Sequence, residues 1–105
     1  MSRVVAGTLK GMPLTVPRHI RATEAKVRQA LLNILGEAVI GARVLDGFAG
    51  SGALGLEALS RGAARVVFLE SHPSCLKAVQ ENLARAATYE CPGRWALMRG
   101  DVLRS

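Results

Sequence analysis

Cysteine is scarce in this sequence: Cys75 and Cys91 are the only two in 105 residues, and nothing in their spacing pairs them. A disulfide framework is excluded as the organising device, and free thiols in a reducing compartment are expected. Histidine is equally sparse, with two residues. His72 and Cys75 form an isolated His-x-x-Cys, which offers half of the roughly four ligands that a structural zinc site takes, so no metal is expected. No apolar run approaches the roughly 20 residues of a membrane span, and no leader pattern opens the chain; a cytoplasmic protein is expected.

Acidic residues are also few, eight against fourteen Lys and Arg, for a formal charge of +6. The imbalance is local. Residues 1–28 carry Arg3, Lys10, Arg18, Arg21, Lys26 and Arg28 against Glu24 alone, while the rest holds eight basic and seven acidic residues. A cationic arm beside a nearly neutral body suits attachment to phosphates, although a solvated face would look the same. Half of the residues are hydrophobic, enough for one small domain with a thin stability margin.

Along the chain, residues 3–7 and 14–17 are short β-prone stretches around the turn residues Gly11 and Pro13, and a small hairpin is expected. Thr23 can cap a helix whose apolar stripe is Val27, Ala30, Leu31, Ile34 and Leu35. Residues 36–41 form a soft boundary, which divides the chain into 1–40 and 41–105. Beyond it the pattern alternates: a strand at 43–46, a helix at 53–61 stopped by Gly62, and a strand at 65–70. A helix led by Pro73 follows, with Leu76, Val79, Leu83 and Ala86 inward, and a strand at 95–99 completes a parallel β-α-β-α-β unit. Such sheets bind ligands beyond the carboxyl ends of their strands, where Asp46, Glu70 and Asp101 fall.

Gly50-Ser51-Gly52-Ala53-Leu54-Gly55 fits Gly-x-Gly-x-x-Gly between a strand and a helix, with Glu70 downstream at the position of a ribose-binding acid. Asp46 separates two cofactor readings. A nicotinamide dinucleotide brings pyrophosphate to this turn, where a carboxylate would repel it. S-adenosyl-L-methionine has no phosphate; its ammonium and sulfonium attract Asp46, its ribose hydroxyls suit Glu70, and its adenine amino group suits Asp101. For Glu70 and Asp101 the alternatives are helix capping or plain solvent exposure.

The run from Asp46 through Gly47-Phe48-Ala49-Gly50-Ser51-Gly52 to Ala63 resembles the first methyltransferase motif of the bacterial enzymes that methylate guanine N2 of small-subunit ribosomal RNA. Arg3-Val4-Val5-Ala6-Gly7, Val16-Pro17 and Val27 to Leu35 are similar to that family's N-terminal segment. The resemblance implies an α/β, partial Rossmann-like S-adenosylmethionine-dependent methyltransferase fold with an N-terminal hairpin and helix. Asp46, Phe48, Ala49, Gly50, Ser51 and Gly52 would shape the methionine side of the pocket. Glu70 and Ser71 would serve the ribose, and Asp101 with Val102 the adenine. Arg3, Lys10, Arg18 and Arg21 would contact ribosomal RNA, and Arg21 and Thr23 match the family's Arg-Pro-Thr segment.

The sequence departs from that pattern at Ala22, where proline is usual, at Ala25-Lys26 in place of Asp-Arg, and at Gly47 in place of leucine. Losing the proline loosens the segment after Arg21. The family's Asn/Asp-Pro-Pro-Tyr/Phe motif, which grips the guanine, is absent from these residues, so no catalytic residue is assigned. The expectation is therefore the cofactor-binding part of such an enzyme, incomplete as given, with assembling small subunits or their RNA as partner and self-association through an unpaired sheet edge. A non-catalytic RNA- or ribosome-binding derivative is the alternative, and a nicotinamide enzyme a distant third.

Overall fold

Three parallel strands, β1 (Arg43–Asp46), β2 (Arg65–Glu70) and β3 (Arg94–Arg99), lie in the order β1-β2-β3. They come from a computed structural model that describes residues 2–17, 22–47 and 49–100, with the side chains of 22–27 excepted. The α/β class and the β-α-β-α-β succession are those expected from the sequence. Asp46 pairs with Phe68, and Phe68 with Leu97, so the carboxyl ends of the strands lie together.

Three helices accompany the sheet: α1 (Ala22–Leu35), α2 (Ala53–Ser60) and α3 (Pro73–Ala86), with a short 3-10 helix at Gly36–Val39. Seven of the eight residues of α2 are buried. Gly55 explains how closely it packs. A Cβ there would stand 2.4 Å from Phe68 Cε2 and 2.9 Å from Val66 Cγ1, so only glycine lets this helix lie against β2. α3 buries Val79, Leu83 and Ala86 as the pattern predicts, together with Cys75, Ala78 and Asn82, while Leu76 is only half-buried. Gly62, at φ 112°, ends α2.

Residues 3–17 fold back on themselves as expected, in a minimal antiparallel pairing: a bridge between Arg3 and Pro13, with N–H bonds from Val4 to Met12, Gly11 to Val4 and Leu14 to Ser2. One local expectation is corrected. The helix starts at Ala22, which puts Thr23 inside it and not at its cap.

The stripe expected on α1 is not what α1 buries. Leu32 and Arg28 are buried, whereas Ala30 is exposed and Leu31, Ile34 and Leu35 are 41%, 82% and 45% exposed. The sheet is open in the same way. Alternation sends Val66 and Phe68 into the core with α2 and sends Leu45, Val67, Ala96, Leu69 and Met98 to the other face. No described element covers that face, and Leu45 and Met98 are 61% and 56% exposed.

Candidate cofactor site

The glycine-rich turn is braced at both ends by carboxylates from adjacent strands. Asp46, at the end of β1 and 5% exposed, accepts the Gly55 N–H through Oδ2 at 3.2 Å. Glu70, at the end of β2, accepts the Gly50 N–H through Oε1 at 2.8 Å. Between them Gly50 and Gly52 take left-handed backbone, φ 57° and 80°. Ser51 is buried, and its Oγ accepts the Ala53 N–H at 3.3 Å, which satisfies a donor at the start of α2. Ala49 is buried beside them and donates its N–H to the Leu69 carbonyl at 3.3 Å.

The sequence expectation thus brings Asp46, Ala49, Gly50, Ser51, Gly52, Glu70 and Ser71 to one end of the sheet. Phe48, Asp101, Val102, Arg18 and Arg21 lie outside the described residues. Arg3 and Lys10 are exposed, and Arg3 Nη1 donates to the Gly11 carbonyl at 2.9 Å. His72 serves as the N-cap of α3, accepting the Ser74 N–H through Nδ1.

Glu70 carries more structure than a ribose ligand alone would. Its Oε2 also accepts the N–H groups of Ser71 and His72, each at 2.9 Å. A carboxylate has about four acceptor positions. Three backbone donors leave room for one hydroxyl, so a grip on both requires Glu70 to release a neighbour. Replacing Glu70 with Ala should weaken binding of S-adenosylhomocysteine by about 1.5–3 kcal/mol. It should also lower stability by about 1–3 kcal/mol, because the buried Gly50 N–H loses its acceptor. Calorimetry and thermal unfolding read the two effects separately; normal binding by a destabilised variant would make Glu70 a brace only.

Two buried polar side chains that the sequence reading passed over hold the arm against this site. Asn82, 0% exposed, accepts the Thr15 N–H at 2.7 Å and donates to the carbonyls of Thr15 and Ser51 at 2.9 and 2.7 Å. It joins the arm, α3 and the glycine turn at one amide. Glu57, on α2 and also 0% exposed, accepts the N–H groups of Val5 and Ala6 at 2.9 and 3.1 Å and a bond from Gln29 of α1 at 3.4 Å. Arg61 completes it with an ion pair at 3.1 Å. The available signal was a lone acid and a lone amide on helix faces otherwise apolar, since a buried charge or amide needs partners.

A parallel β-α-β-α-β sheet with a carboxylate-braced glycine turn at its carboxyl end defines the Rossmann-like fold of methyltransferases. Residues 2–105 match the family described as Conserved hypothetical protein 95, and the chain belongs to it. It is 43% identical over 84 residues to Ribosomal RNA small subunit methyltransferase D of Escherichia coli K12, covering 78% of this chain and 42% of that protein. YlbH of Bacillus subtilis is 40% identical over 105 residues, 98% of this chain and 55% of its own length. The solved structure of yhhF from Escherichia coli superposes with a TM-score of 0.80 at 34% identity, over 97% of this chain and 53% of that one. An O-methyltransferase from Bacillus cereus in complex with SAH shares the fold at 22% identity and a TM-score of 0.52, covering 84% of this chain and 38% of its own. The chain thus spans about half the length of the relatives it matches.

Proposed function

We propose that this chain is the S-adenosylmethionine-binding part of an enzyme that methylates guanine N2 in small-subunit ribosomal RNA. The carrying observation is the buried carboxylate of Asp46 at the glycine turn. It favours a ligand that brings positive charge to the turn and disfavours one that brings pyrophosphate. The relatives' names supply the RNA, and the resemblance noted in the sequence supplies guanine N2. Residues 41–105 take the cofactor part in this reading and residues 1–40 the RNA-docking part. No described helix is long and apolar enough to cross a membrane, and a cytoplasmic place beside assembling small subunits belongs to the same proposal.

When bound, S-adenosylmethionine supplies an electrophilic methyl group. The residues of this chain orient it: Asp46 faces the cationic methionine portion, the backbone of 49–52 lines its path, and Glu70 takes a ribose hydroxyl. An exocyclic guanine amine is a weak nucleophile because its lone pair is delocalised into the ring, so the reaction rests on aligning that lone pair with the methyl carbon. Phosphate contacts from Arg3, Lys10, Arg18 and Arg21 would hold the RNA in register without reading sequence.

Titration calorimetry of the chain with S-adenosylhomocysteine and with a nicotinamide dinucleotide tests the cofactor, and binding of the former alone is expected. In RNA titrations the affinity should fall with salt. Neutralising Arg3, Lys10 and Arg18 together should flatten that slope by about 0.7–0.9 per lost phosphate contact. Dinucleotide binding in place of S-adenosylhomocysteine would sink the cofactor assignment, and an unchanged slope would move the RNA surface elsewhere.

A further inference from the structure

Among the described residues nothing neutralises the cation of Arg28. It lies in the middle of α1, is 7% exposed, and its Nε is buried without a hydrogen-bond partner. Among the described residues its guanidinium forms neither an ion pair nor a hydrogen bond; the ion pair found there is Arg61 with Glu57. Enclosing an uncompensated charge costs several kcal/mol in real proteins, by order of magnitude. A side chain kept in that condition has the character of a site waiting for an anion.

The helix register shows where the anion sits. Gln29 bonds Glu57 and Asn33 bonds Arg61, both 28 residues apart, so α1 and α2 run side by side in the same direction. Beyond α1 the chain returns to the amino end of the sheet, where the Gly41 N–H meets the Gly62 carbonyl just past α2. The first turn of α1 therefore lies toward the carboxyl end, with the glycine turn. On the same register Ala53, the first residue of α2, is level with position 25 of α1, about 4.5 Å along the axis before Arg28 at 1.5 Å per residue. Helical side chains lean toward their own N-terminus, and arginine is long enough to cover that step. Gln29 and Asn33 occupy the side of α1 toward α2, and Arg28 and Leu32 the buried side. That register would direct the guanidinium toward the start of α2, beside the glycine turn.

We infer that Arg28 binds the carboxylate of the methionine portion of S-adenosylmethionine, with Asp46 taking the ammonium on the other side of the glycine turn. The inference rests on the cofactor reading above and adds the residue that reads the amino-acid end. An amino acid presents opposite charges on one carbon, and a buried cation and a buried carboxylate beside one turn match both. An RNA phosphate is the competing anion, but a residue only 7% exposed, with its Nε buried, suits a small ligand better than a polymer backbone. A free carboxylate can enter with the rest of the ligand.

The test compares two ligands on two proteins. S-adenosylmethionine and decarboxylated S-adenosylmethionine, which keeps the ammonium, sulfonium and ribose, are titrated into the wild-type chain and into Arg28→Met. The variant should lose roughly 10- to 100-fold affinity for S-adenosylmethionine, the value of hydrogen bonds to a charged group, and keep its affinity for the decarboxylated ligand. Its melting temperature should hold or rise, because an apolar side chain of similar length replaces an unpaired buried charge. Equal loss for both ligands, or a lower melting temperature, would make Arg28 structural. Unchanged S-adenosylmethionine binding with weakened RNA binding would assign the anion to phosphate and overturn the inference while leaving the cofactor reading intact. If the wild type binds dinucleotide and not S-adenosylmethionine, the cofactor reading fails and this one with it.

Discussion

Replacing Glu57 with Ala should lower the stability of the chain by about 3–5 kcal/mol, the range for removing one partner of a buried ion pair. The carboxylate is fully enclosed and serves four donors: the N–H groups of Val5 and Ala6, the Gln29 amide and the Arg61 guanidinium. Arg61 is 20% exposed and can turn to water. The two backbone donors are half enclosed against α2 and recover less, and a cavity remains where the side chain was. Against a total of about 5–15 kcal/mol for an ordinary domain, this loss decides whether so small a protein stays folded. For a domain near 100 residues it corresponds to a fall in melting temperature of roughly 15–30 °C. Glu57→Gln, which keeps the volume and one acceptor, should fall between. A calorimetric scan of the three proteins checks the order, and an alanine variant within about 1 kcal/mol of wild type would show that water replaces the carboxylate at little cost.

The effect should extend to the cofactor site because Glu57 and Asn82 are among the long-range ties, with Ser60 and Arg85, that bind the arm to the helices around the glycine turn. Glu57 fixes residues 5 and 6 on α2, the helix that the turn begins. Asn82 fixes Thr15 and Ser51 on one side chain. The basic arm is thereby held in register with the cofactor loop through buried hydrogen bonds, which impose direction where apolar contact alone does not.

These ties show what could and could not be read from the sequence. The strands at 43–46 and 65–70, the turn at Gly50 and Gly52, and the stop at Gly62 depend on local rules of alternation, backbone sign and capping, and they lie where those rules put them. Asp46 meets the glycine turn because it ends the strand that the turn follows, and Glu70, 20 residues from Gly50, because parallel pairing sets the end of β2 beside the end of β1. Glu57 and Asn82 were not legible, since their partners lie 51 and 67 residues away. The stripe on α1 failed for a different reason. Periodicity shows that a helix has an apolar face, not that anything covers it, and Leu31 and Ile34 satisfy the period while facing water. Arg28, at a position that periodicity would give to solvent, is buried.

The 105-residue polypeptide should associate with itself through the outer edge of β1. The two-strand pairing of β2 leaves β1 with a partner on one side only among the described residues, and its outer edge presents unpaired backbone groups. Leu45 on that strand is 61% exposed, and Ile34 and Ile40, which precede it in the chain, are 82% and 64% exposed. The open face of the sheet offers apolar area too, but Arg43, Arg65 and Arg94 stand in one row across it. Like charges in that row oppose packing of two such faces, so the edge is the favoured contact. A two-fold axis there sets β1 antiparallel to its copy and buries each exposed side chain twice. Burying a leucine stabilises by about 1.5–3 kcal/mol, so Leu45→Lys, counted on both copies, should weaken the dimer by roughly a hundredfold or more. The chain carries a formal charge of +6, so added salt should strengthen association by screening repulsion, opposite in sign to its effect on RNA binding. Sedimentation velocity at several protein and salt concentrations separates these trends. A wild-type chain that stays monomeric throughout would show that the short edge and its flanking charges are sufficient to keep two copies apart.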